Sequence, residues 1–214
     1  GVSPTFGPYF LPHVLPRIKA EFPDLELYIR EDRPALLQAE LLAGTLDCLL
    51  VPGPVLTDQM DLNGLCEEEI LLGLPAGHDL AAHDPVPMKA LASERLLTLG
   101  QGYRLFDETQ ALCQASGADL REDYEGTSLD AVRQMVSIGM GLSLFPAGYI
   151  SSEFGKEDRV VARRIEGFQM VRQLVFAWRR GSIRRSHYET LAGLARSAIA
   201  DVGIAGLNLQ TPKS

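Results

Sequence analysis

The sequence has 214 residues, 46% of them hydrophobic and 22% charged, a balance typical of a globular protein with a substantial core. Acidic residues outnumber basic ones by 28 to 20, and the formal net charge of −8 argues against direct binding to the phosphate backbone of nucleic acid. The sequence has neither an apolar run long enough for a membrane span nor a signal-peptide pattern, so we expect a cytoplasmic protein with no membrane partner.

The first part of the chain predicts alternating helices and strands. Apolar residues at helical spacing predict a helix over 10–20, which Pro12 and Pro16 should bend or deprive of hydrogen bonds. Residues 25–29 alternate between apolar and polar, as in a strand. A helix over 36–46 and a short buried strand over 48–51 follow. This order implies parallel strands joined by right-handed crossovers.

A second α/β unit follows a loop over 52–63 that is rich in Pro, Gly and Asp. The predicted strands are 69–74, 96–99, 142–145 and 173–178. The predicted helices are 88–92, 106–115, 128–140 and 185–202. Residues 205–214 have no clear period and are predicted to form a frayed tail.

The most informative stretch is 127–146, TSLDAVRQMVSIGMGLSLFP, which predicts a helix followed by a buried strand. Thr127 and Ser128 supply hydroxyls where the helix must satisfy its first N–H groups, and Pro146 ends the strand. A free helix N-terminus in such a unit can bind an anion or a polar ligand.

This stretch resembles a segment of the effector-binding domains of LysR-type transcriptional regulators. Residues 4–31, PTFGPYFLPHVLPRIKAEFPDLELYIRE, resemble the opening of those domains, and LLAGTLDCLLV at 41–51 continues the likeness. Residues 102–118, GYRLFDETQALCQASGA, are most similar to the peroxide-sensing OxyR branch. The order and spacing of these segments also agree with the family.

The resemblance implies an α/β fold of two Rossmann-like subdomains joined by crossover strands, like that of type 2 periplasmic binding proteins. Subdomain I would comprise residues 1–70 plus 168–214, and subdomain II residues 71–167, with a ligand cleft between them. The winged helix-turn-helix that precedes this domain in the family would lie outside this sequence.

The resemblance also implies a function: sensing and dimerisation in a DNA-binding transcriptional regulator. The expected partners are a small-molecule effector, a second copy of the chain in a dimer or tetramer, and promoter DNA through the missing domain. No cofactor is expected. Helices 10–20 and 128–140 would take part in dimerisation, although a buried stripe could equally belong to the intramolecular core.

The candidate ligand-binding residues follow from their place in the resemblance. They are Ser3, Thr5, Asp32, Arg33, Gln101, Gly102, Tyr103, Arg104, Thr127, Ser128 and Pro146. Helix capping and ordinary loop polarity would explain several of them without a ligand. Arg104 would give the cleft a fixed cation suited to a carboxylate or phosphate, so the effector could be anionic. Alternatively, Arg104 is exposed or pairs with Asp107 or Glu108.

Three cysteines in a cytoplasmic protein disfavour a structural disulfide framework. Cys48 is predicted to be a buried small hydrophobe, and the carboxylates after Cys66 should raise its pKa. Cys113 falls on the resolving position of the OxyR branch, but Arg104 occupies the peroxidatic position. The disulfide-based peroxide switch should therefore be absent, because the position that attacks peroxide has no cysteine thiolate.

Other function classes receive less support from the sequence. A stand-alone solute-binding protein of a transport system would share the fold and is the alternative. An enzyme ranks lowest, because the histidines lack metal-ligand spacing and no G-x-S-x-G, Walker or dinucleotide-binding motif is present; neither catalysis nor a metal site is expected. Residues 67–69, three glutamates, are interpreted as a solvated edge. The arginines at 179, 180, 184 and 185 fit a solvated loop better than a nucleic-acid site.

Overall fold

The structure is a computed structural model that describes residues 1–55, 58–121, 128–154 and 159–210. The chain forms two compact units: unit 1 is Gly1–Glu68 with Arg172–Ser214, and unit 2 is Glu69–Val171. The chain crosses between the units after Glu68 and again after Val171, where the sequence-based division placed the crossings after residues 70 and 167.

The described residues contain six α-helices and eight strands. In chain order they are α1 (Gly7–Glu21), α2 (Pro34–Ala43), β1 (Cys48–Pro52), β2 (Met60–Pro75), β3 (Arg95–Leu97), α3 (Arg104–Ser116), β4 (Asp119–Leu120), α4 (Leu129–Ser137), β5 (Leu142–Pro146), α5 (Ala147–Glu153), β6 (Val160–Arg163), β7 (Met170–Arg179), α6 (Arg185–Val202) and β8 (Leu207–Leu209). Strands β2 and β7 carry the two crossings between the units. No helix in the described ranges is both long and apolar enough to cross a membrane.

Unit 1 places parallel and antiparallel segments side by side. Val2 forms parallel bridges with both Glu31 and Leu50, so the segments that lead into α1, into α2 and along β1 run in the same direction. Strand β1 pairs antiparallel with β7, and β8 pairs antiparallel with the first part of β2. Leu37 and Leu41 on the buried face of α2 pack with Leu49 and Val51 of β1 in a core that also holds Val175.

Unit 2 has a parallel centre. Strand β3 pairs in parallel with both β4 and β5, and the second part of β2 pairs antiparallel with β5 and β6. Helices α3 and α4 both contact β5. Strand β5 is buried along its whole length, as the unbroken apolar run in its sequence predicts.

Two predicted elements are wrong. Residues 25–29 form no strand: the pairing with Val2 begins only at Arg30, and the side chains of Leu25, Leu27 and Ile29 are 39–47% exposed. The predicted frayed tail instead includes β8, because its backbone pairs with residues 66–68 of β2 and Arg196 of α6 binds the Gln210 carbonyl. Residues 211–214 lie outside the described part of the chain.

Candidate functional site

In unit 1, four candidate residues lie at one edge. Ser3 and Thr5 follow Val2, and Asp32 and Arg33 follow Glu31, whose segment runs parallel to that of Val2. The backbone N–H of Asp32 donates to the Val2 carbonyl at 3.4 Å. All four therefore follow the carboxyl ends of neighbouring parallel segments, where ligands bind in many α/β proteins.

The hydroxyls of Ser3 and Thr5 are enclosed in protein. Their side chains are buried, with 0% and 3% exposure, and the two oxygens lie 3.1 Å apart. Asp32 is half-buried and accepts from the Arg33 N–H at 2.8 Å and from the Arg30 guanidinium at 3.1 Å. These two contacts, the backbone one first, lower the pKa of the Asp32 carboxyl. Asp32 therefore has a local partner at the start of α2.

A buried charge cluster holds Thr5 in place. The Arg172 guanidinium donates from Nε to Glu68 at 2.7 Å, from Nη1 to the Thr5 hydroxyl at 2.9 Å, and from Nη2 to both the Thr5 carbonyl and the Tyr9 hydroxyl at 2.8 Å. Arg172 is 1% exposed and Glu68 is 0% exposed. The Tyr9 hydroxyl donates in turn to the Thr5 carbonyl.

The sequence reasoning missed this cluster and interpreted 67–69 as a solvated edge. That interpretation is wrong for Glu68, which is fully buried. The available signal was strand alternation, since Glu68 lies mid-strand in β2 and its side chain points to the opposite face from those of its two acidic neighbours. The arginine partner lies 104 residues away in sequence and had no local signal.

In unit 2, six described candidates lie at another strand edge. Residues 101–104 follow β3, and Pro146 ends β5, which is parallel to β3. Ser128 begins α4, the helix that leads into β5 and packs on it. A helix that precedes a parallel strand starts at the edge where such strands end, so the structure brings these residues to one edge. Thr127 lies outside the described residues.

The local geometry of these six residues is varied. Gln101 and Gly102 are exposed, and Gly102 has a φ of +90°, a left-handed conformation that favours glycine. Tyr103 is buried and precedes the first turn of α3. The Ser128 hydroxyl accepts from the Asp130 N–H at 3.2 Å, as a helix cap does, and Pro146 is buried before α5.

Arg104 is the first residue of α3. Its side chain is 39% exposed, and its Nε donates to Glu108 Oε1 at 2.9 Å, one helical turn further on. The pairing with Glu108, an alternative left open by the sequence, is therefore present. The ligand-binding role of Arg104 stays a prediction.

The environment of all three cysteines favours the protonated thiol. Burial raises the pKa of Cys48 and Cys113 to about 11, and burial followed by the negative charge of Glu68 raises that of Cys66 to about 12. Arg104 is the first residue of the continuous helix α3, and Cys113 lies in its last turn. Nine residues of α-helix span about 13 Å along the axis, so Arg104 and Cys113 are far apart along this helix.

The four arginines at the end of β7 and after it are bound to groups of unit 1. Arg179 donates to two backbone carbonyls, those of Leu41 and Leu46, both at 2.6 Å. The others pair with carboxylates of the same unit: Arg180 with Asp61, Arg184 with Asp47 and Arg185 with Glu189. The solvated-loop interpretation therefore fits Arg180 and Arg184, whereas Arg179 ends β7 and binds backbone carbonyls and Arg185 begins α6. Within the described ranges, no three His, Cys, Asp or Glu side chains form a group that could hold a metal ion.

Comparisons with known proteins agree on one family. The model of the LysR substrate-binding domain matches residues 1–200. The DNA-binding transcriptional dual regulator OxyR of Escherichia coli strain K12 is 36% identical over 197 residues, which cover 92% of this chain and 64% of that protein. Crystal structures of the oxidised and reduced forms of OxyR each cover 95% of this chain and are themselves covered to 95%, with a TM-score of 0.82 and identities of 34% and 33%. These matches confirm the predicted α/β fold class.

Proposed function

This chain belongs to the family of LysR substrate-binding domains, and from that premise we propose that it senses a small molecule within an OxyR-like transcriptional regulator. The chain spans only 64% of the length of its Escherichia coli relative, so binding of promoter DNA would fall to another part of the full protein. Self-association as a dimer or tetramer and a cytoplasmic location belong to the same proposal.

In each unit, the proposed effector-binding residues are those at the strand edge described above. The edge in unit 1 carries Ser3, Thr5, Asp32 and Arg33, and the edge in unit 2 carries residues 101–104, Ser128 and Pro146. One observation carries the proposal. In both units the polar candidate residues follow the carboxyl ends of parallel segments, which is where ligands bind in many α/β proteins, and the chain belongs to a ligand-binding family.

We propose that ligand binding, and not thiol oxidation, drives this sensor. Arg104 stands at the peroxidatic position of the OxyR branch, and each of the three thiols has a pKa of about 11 or 12. A thiol with such a pKa is almost entirely protonated at neutral pH, and the protonated form is a poor nucleophile. The effector would act through its different affinities for two states of the regulator, a coupling of typically ~1–3 kcal/mol.

The two alternative functions carry less weight. The relatives reported above are named as gene regulators, which gives no support to a solute-binding protein of a transport system. At the edge in unit 1, the Ser3 and Thr5 hydroxyls lie 3.1 Å from each other, and the Asp32 carboxylate accepts from Arg33 and Arg30, which are donors other than these hydroxyls. We therefore expect the domain to bind its ligand without turnover.

A thermal-shift titration with citrate, succinate and inorganic phosphate tests whether Arg104 binds an anionic effector. We expect at least one anion to raise the Tm with saturation, and Arg104→Ala to weaken that binding at least tenfold, because a guanidinium contributes charge-assisted hydrogen bonds. The variant itself should lose more than the ~0.3–0.5 kcal/mol typical of an exposed i,i+4 pair, because the Glu108 side chain is only 12% exposed and loses its guanidinium partner.

Arg185→Ala is the matched control. Arg185 and Glu189 form the same pair one helical turn apart, Nε to Oε1, at 2.8 Å in α6. This variant should bind the anion as the wild type does. Equal affinity in the wild type and in Arg104→Ala, or no response to any of the three anions, would reject the anion-binding role of Arg104.

A further inference from the structure

Unit 1 contains a concave site lined only by its own residues. Its volume is about 590 Å³, within the usual range of small-molecule pockets, roughly 300–1,000 Å³. Aromatic and leucine side chains form much of its wall, among them Phe22, Leu25, Leu27, Tyr28, Tyr188 and Leu191. Tyr28 is 80% exposed and Leu27 is 47% exposed, so these walls present apolar surface to solvent. Contiguous exposed apolar surface in a concave setting is typical of a binding groove.

This cavity lies at the opposite end of the parallel segments from the proposed effector residues. Residues 25–28 precede Glu31, and residues 45–48 precede Leu50, on the segments that bridge to Val2 in parallel. The cavity is therefore at the amino ends of these segments, whereas Ser3 and Asp32 follow the carboxyl ends. A ligand here would be additional to the proposed effector, and its binding does not depend on the proposed function.

The charges on the lining decide the class of ligand. Arg184 pairs with Asp47, Nη1 to Oδ1 at 3.4 Å, so the guanidinium already faces a carboxylate. Glu26 adds a second carboxylate, His187 adds an imidazole, and Gly1 adds its ammonium, which donates to the Cys48 carbonyl at 2.9 Å. An anion would face two carboxylates, a guanidinium that is already paired and an ammonium that already donates to a carbonyl, while a cation would gain only solvated rim charges, which stabilise little. The lining thus favours a neutral molecule with an apolar body.

We propose that this cavity of unit 1 binds a small, uncharged ring compound, with the ring between the aromatic and leucine walls and a polar group at the Asp47 and Arg184 rim. Aromatic rings suit such walls because they bury a large apolar area and stack on other rings. The half-exposed leucines would become covered when the ring enters.

Three probes that share one ring test the proposal: benzyl alcohol, benzoate and benzylamine, which are neutral, anionic and cationic at pH 7. Two-dimensional amide NMR of the 214-residue chain should show saturable shifts with benzyl alcohol at residues 45–48 and 187–191, and at least fivefold weaker binding of both charged probes. Leu25→Trp should fill the cavity and weaken benzyl alcohol binding at least tenfold. Leu62→Trp is the control, because Leu62 is also a half-exposed leucine of unit 1, at 47%, and does not line the cavity.

Two results would overturn the inference about the site: shifts that are absent or scattered over the protein, and equal binding by Leu25→Trp and Leu62→Trp. Tighter binding of benzoate or benzylamine than of benzyl alcohol would overturn the inference about charge. Shifts at the same residues that grow with protein concentration in the absence of probe would show that a second copy covers this face, and would also reject it.

Discussion

At the scale of single residues, unit 1 contains an ion pair between Glu68 and Arg172. Both side chains are buried, and they flank the two crossings of the chain, since Glu68 is the last residue before the first crossing and Arg172 the first residue after the second. Arg172 donates to Thr5, Tyr9 and Glu68, and it thereby links the start of α1 to both crossing strands. A buried pair of this kind is held by its geometry and its additional hydrogen bonds, because desolvation opposes the charge attraction.

Removal of one partner should therefore be costly. Arg172→Met leaves the Glu68 carboxylate buried without its guanidinium, and we expect a loss of roughly 3–5 kcal/mol in the free energy of unfolding, measured by urea denaturation. The double variant Arg172→Met with Glu68→Leu should recover much of that loss, because no charge then stays buried. A single variant as stable as the wild type would contradict this account of the pair.

Residue-level prediction from sequence succeeded only where local pattern carried the signal. The cap at Ser128 was identified from a local pattern, and the structure places it at the start of α4. Ser3 and Thr5 were chosen by their place in the resemblance, and they follow a parallel segment in unit 1. The role of Glu68 was missed, because burial of a charge depends on a partner distant in sequence. Arg172 could be recognised as that partner only from the structure, in which β7 brings it to Glu68 of β2.

At the scale of elements, strong periodicity was the reliable guide. Helix α6 spans Arg185–Val202, the predicted bounds, because its apolar face repeats over five turns. Residues 25–29 alternate as a strand does, yet they lack a ladder, since a strand needs a partner backbone as well as a pattern. Strand β8 is the converse case: it has no pattern of its own, and β2 supplies the partner.

Helix α1 continues through two prolines. Pro12 and Pro16 are both internal and both exposed, while Val14 and Ile18 on the other face are buried. The missing backbone donors therefore lie toward solvent, where water can satisfy the unpaired carbonyls. The burial of the opposite face holds the helix together despite them.

Pro12→Ala should stabilise the protein, because it restores a backbone donor and relieves ring crowding in the preceding turn. We expect a gain of about 1–3 kcal/mol in the free energy of unfolding, from chemical denaturation. His13→Ala is the control at the neighbouring exposed position and should change stability far less. No gain in Pro12→Ala would show that the proline contributes through the unfolded chain or through a contact of the native helix.

At the scale of the whole molecule, the two units share one electrostatic property: neither holds a thiol that ionises easily. Cys48 and Cys66 belong to unit 1 and Cys113 belongs to unit 2, and burial is the first cause of the raised pKa in each case. The family membership and the two-unit organisation were accessible from sequence, because three matched segments occur in the family's order. The sequence predicted the burial of Cys48 and a raised pKa for Cys66 from its acidic neighbours. Burial is the first cause of the raised pKa of Cys66 and Cys113, and it could not be read from sequence because it depends on the tertiary packing around each side chain.

The raised thiol pKa values predict how stability responds to alkaline pH. Between about pH 9, the ordinary value, and about pH 11, the unfolded chain loses the protons of Cys48 and Cys113 while the folded chain retains them. Rising pH therefore favours the unfolded state, and the free energy of unfolding should fall across this interval. Urea denaturation at several pH values measures the slope, which Cys48→Ala should reduce. A slope that is zero, or that is the same in the variant, would contradict the thiol assignment.

Mass spectrometry of the peroxide-treated domain tests most directly whether this sensor works without a thiol switch. The protein would be incubated with hydrogen peroxide at neutral pH, alkylated and digested without reduction, and its cysteine peptides quantified. We predict that Cys48, Cys66 and Cys113 are recovered as separate alkylated peptides, with no disulfide between any two of them. A linked peptide that joins Cys113 to Cys48 or Cys66 in high yield would contradict the account.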